Sequence, residues 1–279
     1  MLLLKKKADL AQWLDKQRLE GRSIGFVPTM GALHAGHISL IDISKKGTDI
    51  TVCSIFVNPT QFNDPRDFQK YPITIENDIL LLEQAGADVL YLPQVTDIYP
   101  DGVKSLEKYD LGRLESLLEG AFRPGHFQGV CQVMRRLLEA VRPDQLFMGQ
   151  KDYQQCMVVN QLLQIMRLPA RLIPCPIVRE KDGLAMSSRN VRLSAEQRKQ
   201  SLAIYQALLG VKADWQKARP AEELITEATS LLERHGFRVD YVSIADPSTL
   251  EPVSGTGVQA VALIAAFMGE VRLIDNMTL

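Results

Sequence analysis

Apolar runs and helix-compatible stretches alternate along residues 24–173, and this alternation restricts the fold more than any other feature of the chain. Residues 24–29 read as a short buried strand running into a Gly-containing loop, and residues 37–45 suit a helix. Residues 50–57, Ile-Thr-Val-Cys-Ser-Ile-Phe-Val, are strongly β-branched and predict a second strand. Across residues 74–85, Ile75, Ile79, Leu82 and Ala85 recur at helical spacing until Gly86 stops the pattern. Residues 88–92 predict a third strand. Residues 129–141 predict an amphipathic helix ended before Pro143, and 145–148 a further strand followed by Gly149. A helix over 154–166 and a strand over 170–173 complete the series. Strands separated by helices need crossover connections, so the prediction is an α/β fold with a doubly wound, Rossmann-like parallel sheet. Ligands bind such sheets beyond the carboxyl ends of the strands. The loops after Thr29, Val57, Met148 and Ile173 therefore share one candidate rim.

From residue 178 onward the order changes. Residues 194–213 predict one long helix with Ser194 as N-cap and Glu196 in its first turn. Residues 220–235 predict a second helix, with Pro at its start and Gly236 at its end. Strands are expected over 239–244, 258–266 and 271–274. Helices followed by strands point to a smaller α+β domain, so the expected division is 1–177 and 178–279. No internal repeat or low-complexity segment interrupts either part.

Composition excludes several classes. A formal net charge of −1 lacks the basic field of a nucleic-acid partner or an anionic-membrane surface. No apolar stretch approaches the ~20 residues of a membrane span. Met1-Leu-Leu-Leu precedes three lysines, the reverse of a signal peptide. Cys53, Cys131, Cys156 and Cys175 are widely spaced with no C-x-x-C, so buried free thiols in a reducing cytoplasm are expected.

Four segments carry candidate chemistry. The first is Pro28-Thr-Met-Gly-Ala-Leu-His34-Ala-Gly-His37, between a strand and a helix. Gly31 and Gly36 allow a tight turn and close approach to a ligand. His37 falls in the first helical turn, where N–H groups and the helix dipole favour a phosphate. Two imidazoles three residues apart can converge on one phosphate chain, and no third metal ligand stands near them in sequence. The second is Asn58-Pro-Thr-Gln61-Phe62, whose carboxamides suit the hydroxyl and carboxylate groups of a small acid. The third is Gly149-Gln150-Lys151-Asp152: Lys151 can neutralise phosphate and Asp152 can accept from a ribose hydroxyl. The fourth is Met186-Ser187-Ser188-Arg189, two hydroxyls and a guanidinium able to wrap a triphosphate, with Gly183 as a hinge. Arg123 and His126 sit on a turn that is either a cationic rim or purely structural. Glu222, Glu223 and Glu227 read as a solvated helix face.

The first segment carries the H-x-G-H signature of a nucleotidyltransferase superfamily. The run from Phe26 to His34 resembles the nucleotide loop of the pantothenate synthetase (pantoate–β-alanine ligase) family in particular. Phe56-Val-Asn-Pro-Thr-Gln-Phe62, Pro124-Gly-His-Phe127, Gly149-Gln-Lys-Asp-Tyr-Gln-Gln155 and Asp182-Gly-Leu-Ala-Met-Ser-Ser-Arg-Asn190 are similar to that family in the same order. Ala35 and Gln150 depart from the Glu that many members carry.

The resemblance implies ATP binding by Met30, Gly31, Ala32, Leu33, His34, Ala35, Gly36, His37, Gly149, Gln150, Lys151, Asp152, Val178, Met186, Ser187, Ser188 and Arg189. His37, His34 and Lys151 are the expected catalytic residues. Gln61, Gln155 and Asn58 are the expected contacts to pantoate and β-alanine, with apolar Phe62 and Val133 beside them. It further implies ATP with Mg²⁺, a pantoyl-adenylate intermediate, a homodimer, and closure of the second domain as a lid.

Overall fold

We describe a computed structural model of the chain, covering all residues except 104, 105, 254 and 256. It divides into two compact units. The first comprises Met1–Glu115, Arg123–Gln150 and Gln155–Pro176. The second comprises Ser116–Phe122, Lys151–Gln154 and Ile177–Leu279.

The first unit is built on a 6-stranded sheet of β1 (Leu2–Leu4), β2 (Ile24–Thr29), β3 (Ile50–Ile55), β4 (Val89–Tyr91), β5 (Gln145–Gly149) and β6 (Arg171–Cys175). The spatial order is β1-β4-β3-β2-β5-β6, and all five pairings are parallel. From β2 the chain winds outward through β3 and β4, then returns to the other side of β2 with β5 and β6. The switch point of this doubly wound sheet therefore lies between β2 and β5, beside the loop after Thr29. The helices, in chain order, are α1 (Lys7–Leu19), α2 (Ala35–Gly47), α3 (Pro65–Gln69), α4 (Ile75–Ala85), α5 (Val95–Ile98), α6 (Leu118–Phe122), α7 (His126–Val141) and α8 (Tyr153–Ile165). Of these, α6 lies in the second unit.

Two apolar cores cover the two faces of the sheet. Phe26, Val52, Val89, Tyr91, Leu146 and Met148 point to the face covered by α1, α7 and α8. Their neighbours Val27, Cys53, Leu90 and Phe147 point to the face covered by α2 and α4. The period of two along each strand is what a sheet buried on both faces requires. Burying each large side chain contributes about 1.5–3 kcal/mol against the entropy of ordering the chain. All four cysteines are buried and unbridged. Burial pushes the Cys53 and Cys131 thiols up to about 12 and Cys175 up to about 11, so they stay protonated and inert.

The sheet has one strand more than the alternation of residues 24–173 predicts. Leu2–Leu4 pairs with β4 in parallel at the edge. Three residues are too few to show a periodicity, and only tertiary pairing makes them a strand.

In the second unit, β7 (Phe237–Ala245), β8 (Val261–Met268) and β9 (Val271–Thr278) form an antiparallel sheet. Ile204, Leu208, Val211, Leu224 and Leu232 pack against Ile244, Ile264 and Leu273 to make its core. The single helix expected over 194–213 is two: α9 (Ala195–Gln200) and α10 (Ala203–Trp215), followed by α11 (Ala221–Arg234). The break falls at fully buried Ser201, whose hydroxyl donates to the Arg198 carbonyl at 2.7 Å and so competes with helix continuation. Ser194 caps α9 as expected, accepting from Gln197 N–H at 3.2 Å while the Gln197 carboxamide accepts from Ser194 N–H at 3.0 Å.

Helix α6 is held in this unit by a buried charge cluster. Arg272 donates to both oxygens of Glu119 at 2.8 Å and to Asp240 at 2.8 Å, and Tyr241 donates to Glu119 at 2.8 Å. Gln154 accepts from Glu119 N–H and donates to the Leu117 carbonyl, tying the Lys151–Gln154 segment to the same helix.

Candidate active site

The loop between β2 and α2 is built on a carboxylate that sequence reasoning missed. Gly31 and Ala32 take left-handed backbone, with φ of 81° and 49°. Such geometry is costly for alanine and needs support. Asp78 of α4, fully buried, supplies it: its carboxylate accepts from Ala32 N–H at 2.9 Å, Leu33 N–H at 2.8 Å and the Thr74 hydroxyl at 3.0 Å. A signal existed in the sequence, because Asp78 falls on the inward stripe of α4 between Ile75 and Leu82. An acid on an apolar stripe requires partners. Gly36, expected to turn, instead lies within the first turn of α2.

His34 is the N-cap of α2 and His37 sits three residues on. His34 Nδ1 accepts from Gly36 N–H at 3.1 Å, and His37 Nδ1 accepts from His34 N–H at 3.3 Å. The rings lie 4.1 Å apart between centroids. With Nδ1 of each ring used as an acceptor, the neutral imidazole carries its proton on Nε2. Each histidine thus caps the helix with one nitrogen and has a donor at the other, where the dipole of a 13-residue helix attracts anions.

A polarised chain of amides lies at the end of β3. Gly129 of α7 lets the backbone of Thr60 come so close that a β-carbon there would collide with the Thr60 carbonyl. The Gly129 carbonyl can only accept, so it fixes the Asn58 amino group at 3.1 Å. Asn58 Nδ2 also donates to Gln61 Oε1 at 3.1 Å, which turns Gln61 Nε2 toward Met30, 3.0 Å from its sulfur. Asn58 Oδ1 accepts from the Tyr99 hydroxyl at 2.8 Å and from Thr60. Asn58, expected as a substrate contact, is 1% exposed and has both ends of its carboxamide engaged internally. The geometry makes it the residue that orients Gln61. His126 joins this arrangement. Arg123 donates to its Nε2 at 3.1 Å, so its Nδ1–H donates to the Gln61 carbonyl at 2.8 Å.

Gly149 ends β5 and Gln150 follows it in the first unit, and half-buried Gln155 belongs to the same unit on α8. The remaining predicted residues belong to the second unit. Lys151 and Asp152 lie in a 3₁₀ turn over Gln150–Asp152. Val178 and Met186 are joined by a bond from Met186 N–H to the Val178 carbonyl at 3.0 Å, beside a bridge between Arg179 and Ala185. Ser187 then caps the 3₁₀ turn Ser188–Arg192, accepting from Arg189 N–H at 3.3 Å. Gly183, expected as a hinge, sits in a turn that requires glycine: its φ is 99°, and a β-carbon there would collide with the ring of Tyr205. Glu223 and Glu227 lie on the solvated face of α11 and pair with Arg219.

A doubly wound parallel sheet with an H-x-G-H loop capping a helix at its switch point places the chain among α/β proteins built around a strand–loop–helix anion site. The family model described as pantoate-beta-alanine ligase matches residues 2–278, and the chain belongs to that family. A pantothenate synthetase of Aquifex aeolicus is 44% identical over 278 residues, covering 99% of this chain and 98% of that protein. One of Bacteroides thetaiotaomicron is 43% identical over 273 residues, covering 96% and 95%. The crystal structure of pantothenate synthetase from Thermus thermophilus superposes with a TM-score of 0.93 at 40% identity, covering 99% of both chains. The pantoate-beta-alanine ligase of Francisella tularensis, solved as a complex with beta-gamma ATP and beta-alanine, superposes at 0.84 with 35% identity, covering 100% of this chain and 97% of that one.

Proposed function

We propose that this chain joins pantoate to β-alanine at the expense of ATP, giving pantothenate, AMP and diphosphate through a pantoyl-adenylate. Membership of the pantoate-beta-alanine ligase family across residues 2–278 carries this reading. A carboxylate does not react with an amine in neutral water, because oxide is too poor a leaving group. In the first half-reaction the pantoate carboxylate attacks the α-phosphorus of ATP, the bond to the bridging oxygen breaks, and diphosphate leaves. In the second, the free amine of β-alanine attacks the acyl carbon, the acyl–oxygen bond breaks, AMP departs and the amine loses a proton.

The site residues are those the family resemblance implies, and their chemistry suits the following roles. His37 and His34 supply Nε2–H donors to the phosphates as charge develops in the transition state. Lys151 and Arg189 neutralise the chain of phosphates, and Ser187 and Ser188 add hydroxyl donors. The ATP set is completed by Met30, Gly31, Ala32, Leu33, Ala35, Gly36, Gly149, Gln150, Asp152, Val178 and Met186. Gln61 and Gln155 take the small acids, with Gln61 held in place by Asn58. Among the described residues no group of three His, Cys, Asp or Glu side chains is placed to hold a metal. Mg²⁺ belongs to the proposal as the companion ion of ATP, where it would neutralise phosphate charge. Assembly as a homodimer and a cytoplasmic location belong to the same proposal. No helix among the described residues is long and apolar enough to cross a membrane.

Exchange of labelled diphosphate into ATP tests the reading. Label should enter ATP when pantoate is present and β-alanine is absent, and should not enter without pantoate. A preparation that binds ATP but catalyses no pantoate-dependent exchange would overturn it. The amide chain gives a second expectation. Tyr99→Phe removes one of the donors that orient Asn58, at a cost of about 1 kcal/mol. Steady-state kinetics should show the KM for pantoate raised several-fold with the KM for ATP unchanged. Equal effects on both substrates would argue against orientation of Gln61 by this chain.

A further inference from the structure

We propose that Asp275 and Asn276 of β9, acting with Arg179, form a positioning node for the ATP-binding segments of the second unit. The inference rests on the assignment of Lys151, Val178 and Met186–Arg189 to ATP. None of the three node residues carries an assigned role in that chemistry.

Asp275 has a fully buried side chain. It takes two hydrogen bonds from Arg179, at 2.6 and 3.0 Å, and one from Asn276 N–H at 2.8 Å. The guanidinium also donates to the Gly183 carbonyl at 3.1 Å and lies over the Tyr205 ring, 4.2 Å from its centroid. Arg179 thereby fixes the turn that folds residues 178–186 back on themselves. That turn is closed by Glu180 N–H to the Leu184 carbonyl at 2.8 Å and by Met186 N–H to the Val178 carbonyl at 3.0 Å. Val178 and Met186 are its two ends, and the Ser187-Ser188-Arg189 turn follows directly. Asn276, the next residue on β9, donates from Nδ2 to the Lys151 carbonyl at 3.0 Å. Successive side chains leave a strand on opposite sides, so adjacent residues can hold two different segments.

The chemistry argues for geometry over stability. A buried ion pair adds little net stability relative to apolar side chains of the same size, because desolvation offsets the attraction. Burial pushes the Asp275 carboxyl up, while Arg179 and, after it, the Asn276 N–H act to lower it. A fork of fixed donors held by a strand, with one neighbour bound to the Lys151 backbone, sets where a cation and two hydroxyls stand relative to one another.

Two variants test the node, with isothermal titration of MgATP and separate KM values for ATP and pantoate as readouts. Asn276→Ala releases the Lys151 carbonyl and leaves the Arg179–Asp275 pair intact. The double variant Arg179→Met/Asp275→Leu removes the pair without stranding a buried charge. Each should weaken ATP binding about tenfold or more, with the KM for pantoate changed less than about twofold and a cooperative thermal transition retained. The node is refuted if either variant folds and binds MgATP as the unaltered protein does. It is equally refuted if the KM values for ATP and pantoate rise together in step with lost stability. If the double variant does not fold, Asn276→Ala decides alone. Failure of the node is distinguishable from failure of the ligase reading, because in the latter the unaltered protein itself shows no pantoate-dependent exchange.

Discussion

His37→Ala is expected to slow pantoyl-adenylate formation by a factor of about 10²–10³, the effect of removing one hydrogen-bond donor aimed at developing charge, roughly 3–4 kcal/mol of barrier. The same substitution removes a cap. His37 Nδ1 accepts from His34 N–H, and loss of such a contact costs about 0.5–2 kcal/mol of stability. The two effects separate in His37→Glu, whose carboxylate can accept in the place of Nδ1, as Glu does at the third position of a capping box, but carries no N–H to donate. Thermal unfolding should then return to that of the unaltered protein while single-turnover adenylate formation stays slow. Full recovery of both would mean that His37 serves only to start α2, and the catalytic assignment would fail.

Arg272→Met should produce the largest loss of stability, about 3–5 kcal/mol, because removing one partner of a buried cluster leaves buried charge poorly compensated. Glu119 and Asp240 would lose the guanidinium that lies between them, and all three ionic side chains are at most 14% exposed. The loss belongs to the second unit, where Trp215 is buried, whereas Trp13 lies in the first. Urea unfolding followed by Trp215 fluorescence in a Trp13→Phe background isolates it. A destabilisation below about 1 kcal/mol would show that the cluster is dispensable. Because Glu119 anchors α6, protease cleavage within Ser116–Phe122 should accelerate in the same variant.

How much of this was legible beforehand depended on the kind of signal. Strands β2 to β6 read directly, since each is a compact, largely apolar run, and the helical stretches between them imply crossovers and a parallel sheet. The edge strand Leu2–Leu4 did not, because three residues carry no pattern. The helix break at Ser201 was hidden for a related reason: serine is tolerated inside a helix until its hydroxyl finds a carbonyl of the preceding turn. In the site, the histidines, glutamines and the Ser-Ser-Arg run were visible as residue types that phosphates and small acids require. Their supports were not. Asp78, Tyr99, Asp275 and Asn276 lie between 41 and 125 residues along the chain from the groups they hold, so no local pattern links them.

Local chemistry along the chain was enough to determine a layered α/β protein with an anion-binding loop before a helix, because apolar period, turn residues and helix caps act over a few neighbouring positions. Tertiary structure alone decided the order of the strands and hence the switch point between β2 and β5. It also decided that the Asn58 carboxamide holds Gln61, and that Gly183 packs against Tyr205. Those outcomes depend on which distant donors and acceptors meet in the folded chain, and pairing of that kind leaves no periodic trace in the sequence.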